Sequence, residues 1–406
     1  MTIESTNDSQ IDNPAGCPIT HYSEVNTPSA PAGWHFDNFD AKREEAAVHT
    51  GLAAEQYFLI TRMADIRAAY QNPGVFSNTS VTPTNPDPPY RWIPEMLDGR
   101  IHTKWRQLLG PYFSPGNVAS WEPMVRRRFA EVLDDIAGRG SCDFVQDVAL
   151  LFPNVIFMDL MGLPRDDAHR FQEWEVAILH GDRTSPDGQQ RQIEAMMAVI
   201  GYFSELITRR REEPRDDLLS QAIGWKIDGD PIPDQDLLDF CLLMFMAGLD
   251  TVAAQLTYSF WHLATHDHDR HRIVAEPDLI PSAIEEFLRY YSFVTPGRKA
   301  MSDTEIAGCP ISAGTMVYLP LASANRDPRE FNHADQVIID REANRHIAFG
   351  AGPHRCLGAH LARQELRVAM EMWHERIPEY QLMAGQELLE HGGQIGMNSL
   401  HLEWDV

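Results

Sequence analysis

The chain of 406 residues is poor in cysteine and in positive charge. It has five cysteines, Cys17, Cys142, Cys241, Cys309 and Cys356, an odd number without C-x-x-C spacing. This pattern argues against a disulfide framework and a zinc cluster, and four of the five are expected to be ordinary reduced thiols. Lysine and arginine total 34 against 59 aspartates and glutamates, a formal net charge of -25. That charge argues against nucleic acid or an anionic membrane as the main partner, because both are polyanions.

Long apolar runs and targeting signals are also missing. The first thirty residues are polar and proline-bearing, without the basic start and apolar core of a signal peptide. The most apolar region, VALLFPNVIFMDLMGL from Val148, is broken by Pro153, Asn154 and Asp159 and is too short to span a bilayer. The chain also lacks a G-x-G-x-x-G dinucleotide fingerprint. The sequence therefore predicts a cytoplasmic protein, with no membrane as partner.

What remains is the composition of a globular protein. Hydrophobic residues make up 43% and charged residues 23%, which allows a sizeable core. At this length the composition leaves open two lobes or one large domain. Residues 1–34 are rich in Asn, Ser, Pro and Thr and are expected to form an extended, poorly ordered lead-in. Long helical patterns follow, with a short strand pattern at EQYFLIT.

The strongest local signal is FGAGPHRCLG, from Phe349 to Gly358. It fits F-x-x-G-x-x-x-C-x-G, and a helix-prone run follows at once. Free N–H groups and the positive dipole end at a helix start favour an anion, so Cys356 is placed to be a thiolate. Gly352 and Gly358 leave room for something flat to approach the backbone. A lone thiolate suits an axial ligand of haem iron, and the alternative is a buried structural cysteine.

A second signal lies in the middle of a long apolar pattern predicted as one buried helix from Asp234 to about Ala264. In its AGLDT segment, Ala247, Gly248 and Thr251 are three and four residues apart and share a face, so two small residues leave a notch beside the Thr251 hydroxyl. In the alternative interpretation, Thr251 bonds back to the Ala247 carbonyl and Asp250 pairs with a cation, without any chemistry.

Two further pairs stand at helical spacing. His102 and Arg106 lie four apart, which by itself is typical of a solvated basic face. Glu286 and Arg289 lie three apart, which by itself is typical of a surface ion pair worth ~0.3–0.5 kcal/mol.

These motifs and their order resemble those of the cytochrome P450 family, from about residue 35 to the end. The resemblance implies a mainly α fold with a smaller β-rich part, the cytochrome P450 fold, and a single haem domain at residues 35–406. The cofactor would be haem b, held without covalent attachment because C-x-x-C-H is absent. Cys356 is implied to be the iron ligand. The other residues implied to contact the haem or its propionates are His102, Arg106, Arg298, His354, Phe349, Gly352, Gly358, Ala247 and Gly248.

The resemblance also implies which residues take part in catalysis and which have a structural role. It implies that the bent helix around AGLDT accommodates dioxygen and that Asp250 and Thr251 deliver protons to it. It implies that Glu286, Arg289 and Arg341 form a buried structural triad behind the cysteine loop.

The reaction implied is NAD(P)H-dependent monooxygenation, in which one oxygen atom from O2 enters a C–H or C=C bond. The chain has no room for a flavin domain, so the resemblance implies a separate ferredoxin and ferredoxin reductase, serving a monomer. Five cations are proposed as a docking patch near the thiolate: Lys104, Arg106, Arg126, Arg127 and Arg128. The alternative for the triple arginine is a solvated helix face.

Within the family the chain looks most similar to the camphor-hydroxylating branch, especially in YRWIPEMLDGRIHTKWR and AIEEFLRYYSFVTPGR. Tyr90 stands where that branch hydrogen-bonds a substrate carbonyl, whereas Pro296 replaces an aspartate, which argues against an identical substrate. The substrate is expected to be a hydrophobic small molecule, terpenoid-like or a branched lipid. Its implied contacts are Tyr90, Trp92, Met244, Ala247, Val294 and Ile395.

Two other functions remain open. One is a haem-thiolate protein that binds a hydrophobic ligand without oxidising it, and the other is a peroxide-driven or isomerising haem enzyme. The Asp250–Thr251 pair disfavours both, because neither needs a proton relay.

Overall fold

The computed structural model describes residues 16–21, 27, 29–52, 56–82, 86–180 and 185–406. Helices dominate these residues, as expected. The α-helices, numbered along the chain, are α1 (Trp34–Glu45), α2 (Met63–Gln71), α3 (Gly99–Leu109), α4 (Pro115–Ser120), α5 (Glu122–Ile136), α6 (Leu151–Met161), α7 (Ala168–Glu175), α8 (Pro186–Glu212), α9 (Leu218–Ile223), α10 (Asp234–Gly248), α11 (Asp250–Thr265), α12 (Asp267–Ala275), α13 (Ile280–Tyr290), α14 (Leu321–Asn325) and α15 (Ala359–Arg376). Single π-helical turns span Val145–Ala149 and Val176–His180, and short 3-10 turns span Arg165–Asp167, Pro277–Leu279 and Gly352–His354.

The smaller part is built from short strands. They are β1 (Ala30–Pro31), β2 (Val48–Leu52), β3 (Gln56–Ile60), β4 (Phe76–Ser77), β5 (Ser141–Asp143), β6 (Lys226–Ile227), β7 (Asp230–Pro231), β8 (Gly297–Ala300), β9 (Thr304–Ile306), β10 (Cys309–Ile311), β11 (Met316–Tyr318), β12 (Gln381–Leu382), β13 (Leu389–His391), β14 (Gly396–Met397) and β15 (His401–Glu403). The main sheet has the order β2-β3-β11-β8-β4, with β3 and β11 parallel and its other neighbours antiparallel. The predicted mainly α fold with a smaller β-rich part is confirmed.

The long helix predicted from Asp234 is two helices. α10 ends at Gly248 and α11 begins at Asp250, with Leu249 between them at φ -100° and ψ -65°, at the edge of the right-handed helical region. Together Asp234–Thr265 is long and apolar enough to span a membrane by composition, yet 67% of its most apolar window is buried within the protein. A helix apolar on every side is therefore explained here by packing in the core.

Three apolar clusters fill the interior. The first joins α11 to α5, α13 and α15, and its centre includes the stacked rings of Phe144 and Phe260, 4.3 Å apart. The second lies among α6, α7, α8 and α10, where Phe171 and Phe245 meet edge to face. The third covers the main sheet and α2. The break at Leu249 lies where α10, packed in the second cluster, passes into α11, packed in the first.

The N-terminal segment corrects the expectation for one of its cysteines, whereas most of the predicted lead-in (residues 1–15, 22–26 and 28) lies outside the described residues. Where it is described, the expected lead-in is attached to the folded part: β1 pairs with β13, and Thr20 N donates to Thr50 O. In addition, Cys17 forms a disulfide with Cys309 on β10, so these two are not ordinary reduced thiols. The pairing joins cysteines 292 residues apart. Only tertiary proximity brings such distant cysteines together, and the odd count and spacing carry no sign of it.

Candidate active site

The cysteine loop runs from the end of the turn at Gly352–His354 to the start of α15. The backbone N–H of Cys356 donates to the Phe349 carbonyl over 2.8 Å, and Arg106 Nη2 donates to the Arg355 carbonyl over 2.8 Å. The Cys356 side chain is exposed. Desolvation by the surrounding protein atoms raises the pKa of its thiol, and the Glu95 charge adds to this. The Gly358 N–H and the Arg106 and Arg355 charges oppose the rise. A metal bound to the Cys356 sulfur would ionise this thiol outright.

The two loop glycines differ in what they accommodate. Gly352 has φ +70°, and a Cβ there would lie 2.6 Å from the backbone oxygen of Tyr70 at the end of α2. The close approach that the structure shows at Gly352 is that of the α2 backbone, and contact of this glycine with a flat group stays a prediction. At Gly358 the atom nearest to a Cβ would be Cys356 Sγ, at 3.9 Å, so this position leaves the space next to the sulfur open.

A polar cluster stands between α3 and the loop. The rings of His102 and His354 stack with centroids 3.9 Å apart, and His354 Nε2 lies 3.1 Å from Asp98 Oδ1. Burial, together with the neighbouring His354 and Arg106, lowers the pKa of His102 to about 4. The pKa of Asp98 is also lowered: burial opposes the change, but hydrogen bonds from His354 and Ser77 outweigh it.

Arg298, on β8, is a buried cation with 4% of its surface exposed. Its Nη1 donates to the Gly297 carbonyl over 2.6 Å, and its guanidinium lies 4.8 Å from the Tyr70 ring centroid. Among the residues that the structure describes, no carboxylate forms an ion pair with it. Burial lowers the pKa of Arg298, and the nearby Tyr70, Glu95 and Asp98 oppose this. A buried guanidinium that has so few hydrogen-bond acceptors is suited to bind an anionic group.

Glu95 is a neighbour of this cluster that the sequence did not indicate. Burial raises the pKa of its carboxyl, and the Arg298 charge lowers it. Its position after the cis Ile93–Pro94 bond carries no motif that singles it out.

The AGLDT segment presents one face to open space. Ala247 is exposed in the middle of a mostly buried helix, and Met244 and Thr251 on the same face are half-buried. Thr251 Oγ1 donates to the Ala247 carbonyl over 3.2 Å, as in the alternative interpretation. Gly248 does not belong to this face, because a Cβ there would lie 3.3 Å from the Phe157 ring of α6. The notch beside the hydroxyl is therefore made by Ala247 alone.

Asp250 is 5% exposed and accepts a hydrogen bond from Gln394 Nε2 at Oδ2, over 2.7 Å. Gln394 precedes β14, 144 residues further along the chain, so no local pattern links the two. A second carboxyl, that of Glu175 at the end of α7, interacts with Asp250. Neither partner was expected.

The implied substrate contacts are only partly brought together. Tyr90 and Trp92 stack with centroids 4.9 Å apart, and the Tyr90 hydroxyl lies 3.0 Å from Thr82 Oγ1. Val294 is half-buried against the core. Ile395 is 1% exposed and packs within the first apolar cluster, and its role as a substrate contact stays a prediction.

The expected triad is assembled. Arg341 Nε donates to Glu286 Oε2 over 2.9 Å, and Arg289 binds both oxygens of the same carboxylate. Glu286 and Arg289 are fully buried, which excludes the surface ion pair considered for them. Arg289 also donates to the carbonyls of Asn325, Ala334 and Gln336, which holds the connector before the cysteine loop.

The docking patch is wrong in part. Arg128 is buried and donates to Asp159 over 2.6 Å and to Glu131 over 2.7 Å. Arg126 is bonded to Glu122 and Glu371. Lys104 pairs with Asp228.

Of the triple arginine only Arg127 is exposed. Arg106 and the exposed Arg355 lie at the thiol instead.

Comparison with known proteins agrees with this geometry. The family profile described as Cytochrome P450 matches residues 41–373. The chain belongs to the cytochrome P450 family. A probable cytochrome P450 127A1 of Sinorhizobium fredii is 33% identical over 350 residues, 86% of this chain and 83% of that protein. Mycinamicin IV hydroxylase/epoxidase of Micromonospora griseorubida is 33% identical over 339 residues, 81% and 84% of the two chains. The crystal structure of CYP101J2 superposes with a TM-score of 0.86 at 26% identity, covering 97% of this chain and 100% of that one.

Membership of the cytochrome P450 family makes this chain a haem monooxygenase, an oxidoreductase that uses O2 and a redox partner. The residues present fit a haem. Cys356 offers a lone exposed sulfur beside an open glycine, and Arg298 offers a buried charge that has no carboxylate ion-pair partner among the described residues.

Proposed function

We propose that this cytochrome P450 inserts one oxygen atom from O2 into a hydrophobic small molecule, with electrons from a separate ferredoxin and its NAD(P)H-dependent reductase. The observations that carry the proposal are two features of the chain: a single exposed thiol at Cys356, and a helix face that carries Ala247 and the Thr251 hydroxyl. Haem iron bound by a thiolate supplies the chemistry, because the ligand pushes electron density that favours O–O cleavage.

Cys356 would be the iron ligand of haem b, and four side chains would hold the propionates: His102, Arg106, Arg298 and His354. Arg298 is the strongest of these candidates, because it is buried and makes no ion pair with any described carboxylate. His102, whose lowered pKa keeps it neutral near pH 7, would act as a hydrogen-bond donor.

Thr251 and Asp250 would manage protons. Thr251 has a half-exposed hydroxyl anchored to the Ala247 carbonyl, so its oxygen has a fixed position and can accept or pass on a proton. Asp250 is held by Gln394 directly before it in the chain.

The redox partner would dock where Arg106 and Arg355 lie beside Cys356. Both are cations close to the thiol, and an acidic ferredoxin would be steered to them by charge. We further propose that residues 35–406 act as one haem domain in a cytoplasmic monomer, as the similarity to bacterial relatives along most of the chain suggests.

The substrate would be terpenoid-like or a branched lipid, contacted by Tyr90, Trp92, Met244, Ala247, Val294 and Ile395. The stacked rings of Tyr90 and Trp92 form an apolar wall that carries one hydroxyl, which suits a hydrophobic molecule with one polar group.

The test compares three conditions on one preparation. Product with NAD(P)H, ferredoxin and reductase supports the proposal, and product with peroxide alone supports the peroxide-driven alternative. A Soret shift with a terpenoid or lipid panel, without product in either condition, identifies a binding protein. In parallel, the wild type should form the red-shifted ferrous–carbon monoxide band after which the family is named, and Cys356→Ser should lose it. A variant that keeps the band would overturn the ligand assignment.

A further inference from the structure

Glu175 is a buried acid without a visible structural purpose. It is the last residue of α7, and 1% of its surface is exposed. Both of its carboxyl oxygens are buried and neither has a hydrogen-bond partner. Buried charges in proteins are almost always paired, because desolvation of an unpaired charge is costly. A side chain in this setting is stable in its neutral, protonated form.

The neighbour of this carboxyl is Asp250. Burial raises the pKa of Glu175 well above the ordinary glutamate range, and the Asp250 charge raises it further. Within the described helices around α7, no other titratable group acts on Glu175. Arg170 and Tyr202 bond Asp167, which precedes α7 at its other end. The chain changes from α to π winding at Val176, directly after Glu175.

The carboxyl groups of Asp250 and Glu175 differ in their hydrogen bonds. Asp250 Oδ2 accepts a hydrogen bond from Gln394 Nε2, whereas neither oxygen of Glu175 has a hydrogen-bond partner. A buried carboxyl beside a second acid keeps its proton to higher pH than an exposed carboxyl does. Asp250 belongs to the proposed relay and is next to Thr251 in the chain, so a proton held at Glu175 is stored next to that relay.

We propose that Glu175 is the proton store of the relay, a positioning residue that acts through Asp250. The inference rests on the proposed function of Asp250 and Thr251. In the resting pair Glu175 carries the proton and Asp250 the negative charge. Transfer of the proton through one bridging water molecule exchanges these states, and Asp250 can then donate toward the Thr251 hydroxyl. Both carboxyls are then ionised, and the pair takes up one proton from solvent water to return to its starting state.

The variant that tests this is Glu175→Gln, which keeps the size and polarity of the side chain but cannot release a proton. Glu173→Gln is the matched control, because Glu173 is an exposed glutamate two residues earlier on the same helix. With the holoenzyme, Glu175→Gln should give severalfold less product per NAD(P)H oxidised and more peroxide, and the loss should grow as the pH rises. Haem content and substrate affinity should match those of the control. Equal product ratios in both variants at every pH would overturn the proposal.

A spectroscopic readout does not depend on turnover. The infrared difference between wild type and Glu175→Gln at neutral pH should contain the carbonyl stretch of a protonated carboxylic acid, and the difference for Glu173→Gln should not. In Asp250→Asn, this band should titrate at lower pH than in the wild type, because the neighbouring charge is gone. Absence of the band, or a titration unaffected by Asp250→Asn, would overturn the proposal. Lack of product in the wild type would instead contradict the proposed function, and the infrared result would still decide the state of Glu175.

Discussion

Arg289 and Glu286 form a two-point ion pair in the core, with Nη2 2.7 Å from Oε1 and Nε 2.8 Å from Oε2, and neither side chain is exposed to solvent. Oε2 also accepts from Arg341 and from Asn344, so the carboxylate is fully surrounded by donors. Because Arg289 reaches carbonyls at Asn325, Ala334 and Gln336 as well, the pair joins α13 to the connector that leads to the cysteine loop.

Arg289→Ala should therefore destabilise the protein by about 3–5 kcal/mol, the usual cost of leaving a buried charge without its partner. The measurement is the free energy of unfolding in urea. Arg376→Ala is the control, since Arg376 pairs with Asp134 on the surface and its removal should cost less than about 1 kcal/mol. Equal losses in the two variants would mean that the core pair does not organise the connector.

Arg298→Ala should weaken haem retention. The substitution removes the buried cation proposed to bind a propionate, whereas Arg127→Ala removes an exposed arginine for which the structure records no ion pair among the described residues. Haem transfer to excess apomyoglobin should be faster from Arg298→Ala than from wild type and unchanged for Arg127→Ala. Arg298→Lys should restore part of the retention, because the charge is kept and the forked donor geometry is lost. Identical transfer rates for all variants would exclude a propionate contact.

Thr251→Ala should keep haem, substrate binding and NAD(P)H consumption, and should release peroxide in place of product. The substitution removes the hydroxyl that is anchored to the Ala247 carbonyl, and with it the proposed path for protons. A stability loss of about 1 kcal/mol is expected from the lost methyl and hydroxyl and is measured separately. The deciding quantity is product per NAD(P)H with peroxide assayed in the same tube. An unchanged ratio would leave Thr251 as a structural residue of the α10–α11 break.

Arg355→Ala should slow electron transfer from an acidic ferredoxin, and the difference from wild type should shrink as salt is added, because exposed charges are screened beyond ~8–10 Å. Arg376→Ala is again the control, because it lies at the far end of α15, about 25 Å along the helix axis from its start. Stopped-flow reduction rates at several salt concentrations measure the effect. Transfer rates independent of salt in the wild type would contradict docking at Arg355.

The sequence is informative where the contacts are local. The Cys356–Phe349 backbone bond, the Thr251–Ala247 bond and the Glu286–Arg289 pair each join residues at most seven apart, so spacing along the chain brings their partners together. Arg128 shows the opposite case. Its helical spacing predicted an exposed charge, but its partner Asp159 comes from another helix, and only the packing of α5 on α6 buries it.

Tertiary contacts also explain why the sequence did not identify some residues of the site. Gln394 reaches Asp250 across 144 residues, and the Tyr70 backbone that crowds Gly352 belongs to α2. Glu175 sits in a helical pattern in which nothing distinguishes it from the exposed Glu173. Sequence spacing can show which face of a helix a carboxyl occupies, but whether that face is buried depends on packing partners far away in the chain.

The hydrogen bonds of the buried Glu390 on β13 determine when the N-terminal segment can dock during synthesis. Its oxygens accept hydrogen bonds from the backbone N–H groups of Gly33 and His35, from His35 Nδ1 and from the Tyr258 hydroxyl, each over 2.8 Å. The first and last parts of the chain thus share one carboxylate across 355 residues. During synthesis, α1 emerges from the ribosome long before its anchor exists, so the N-terminal segment must wait for nearly the whole chain to be translated before it can dock.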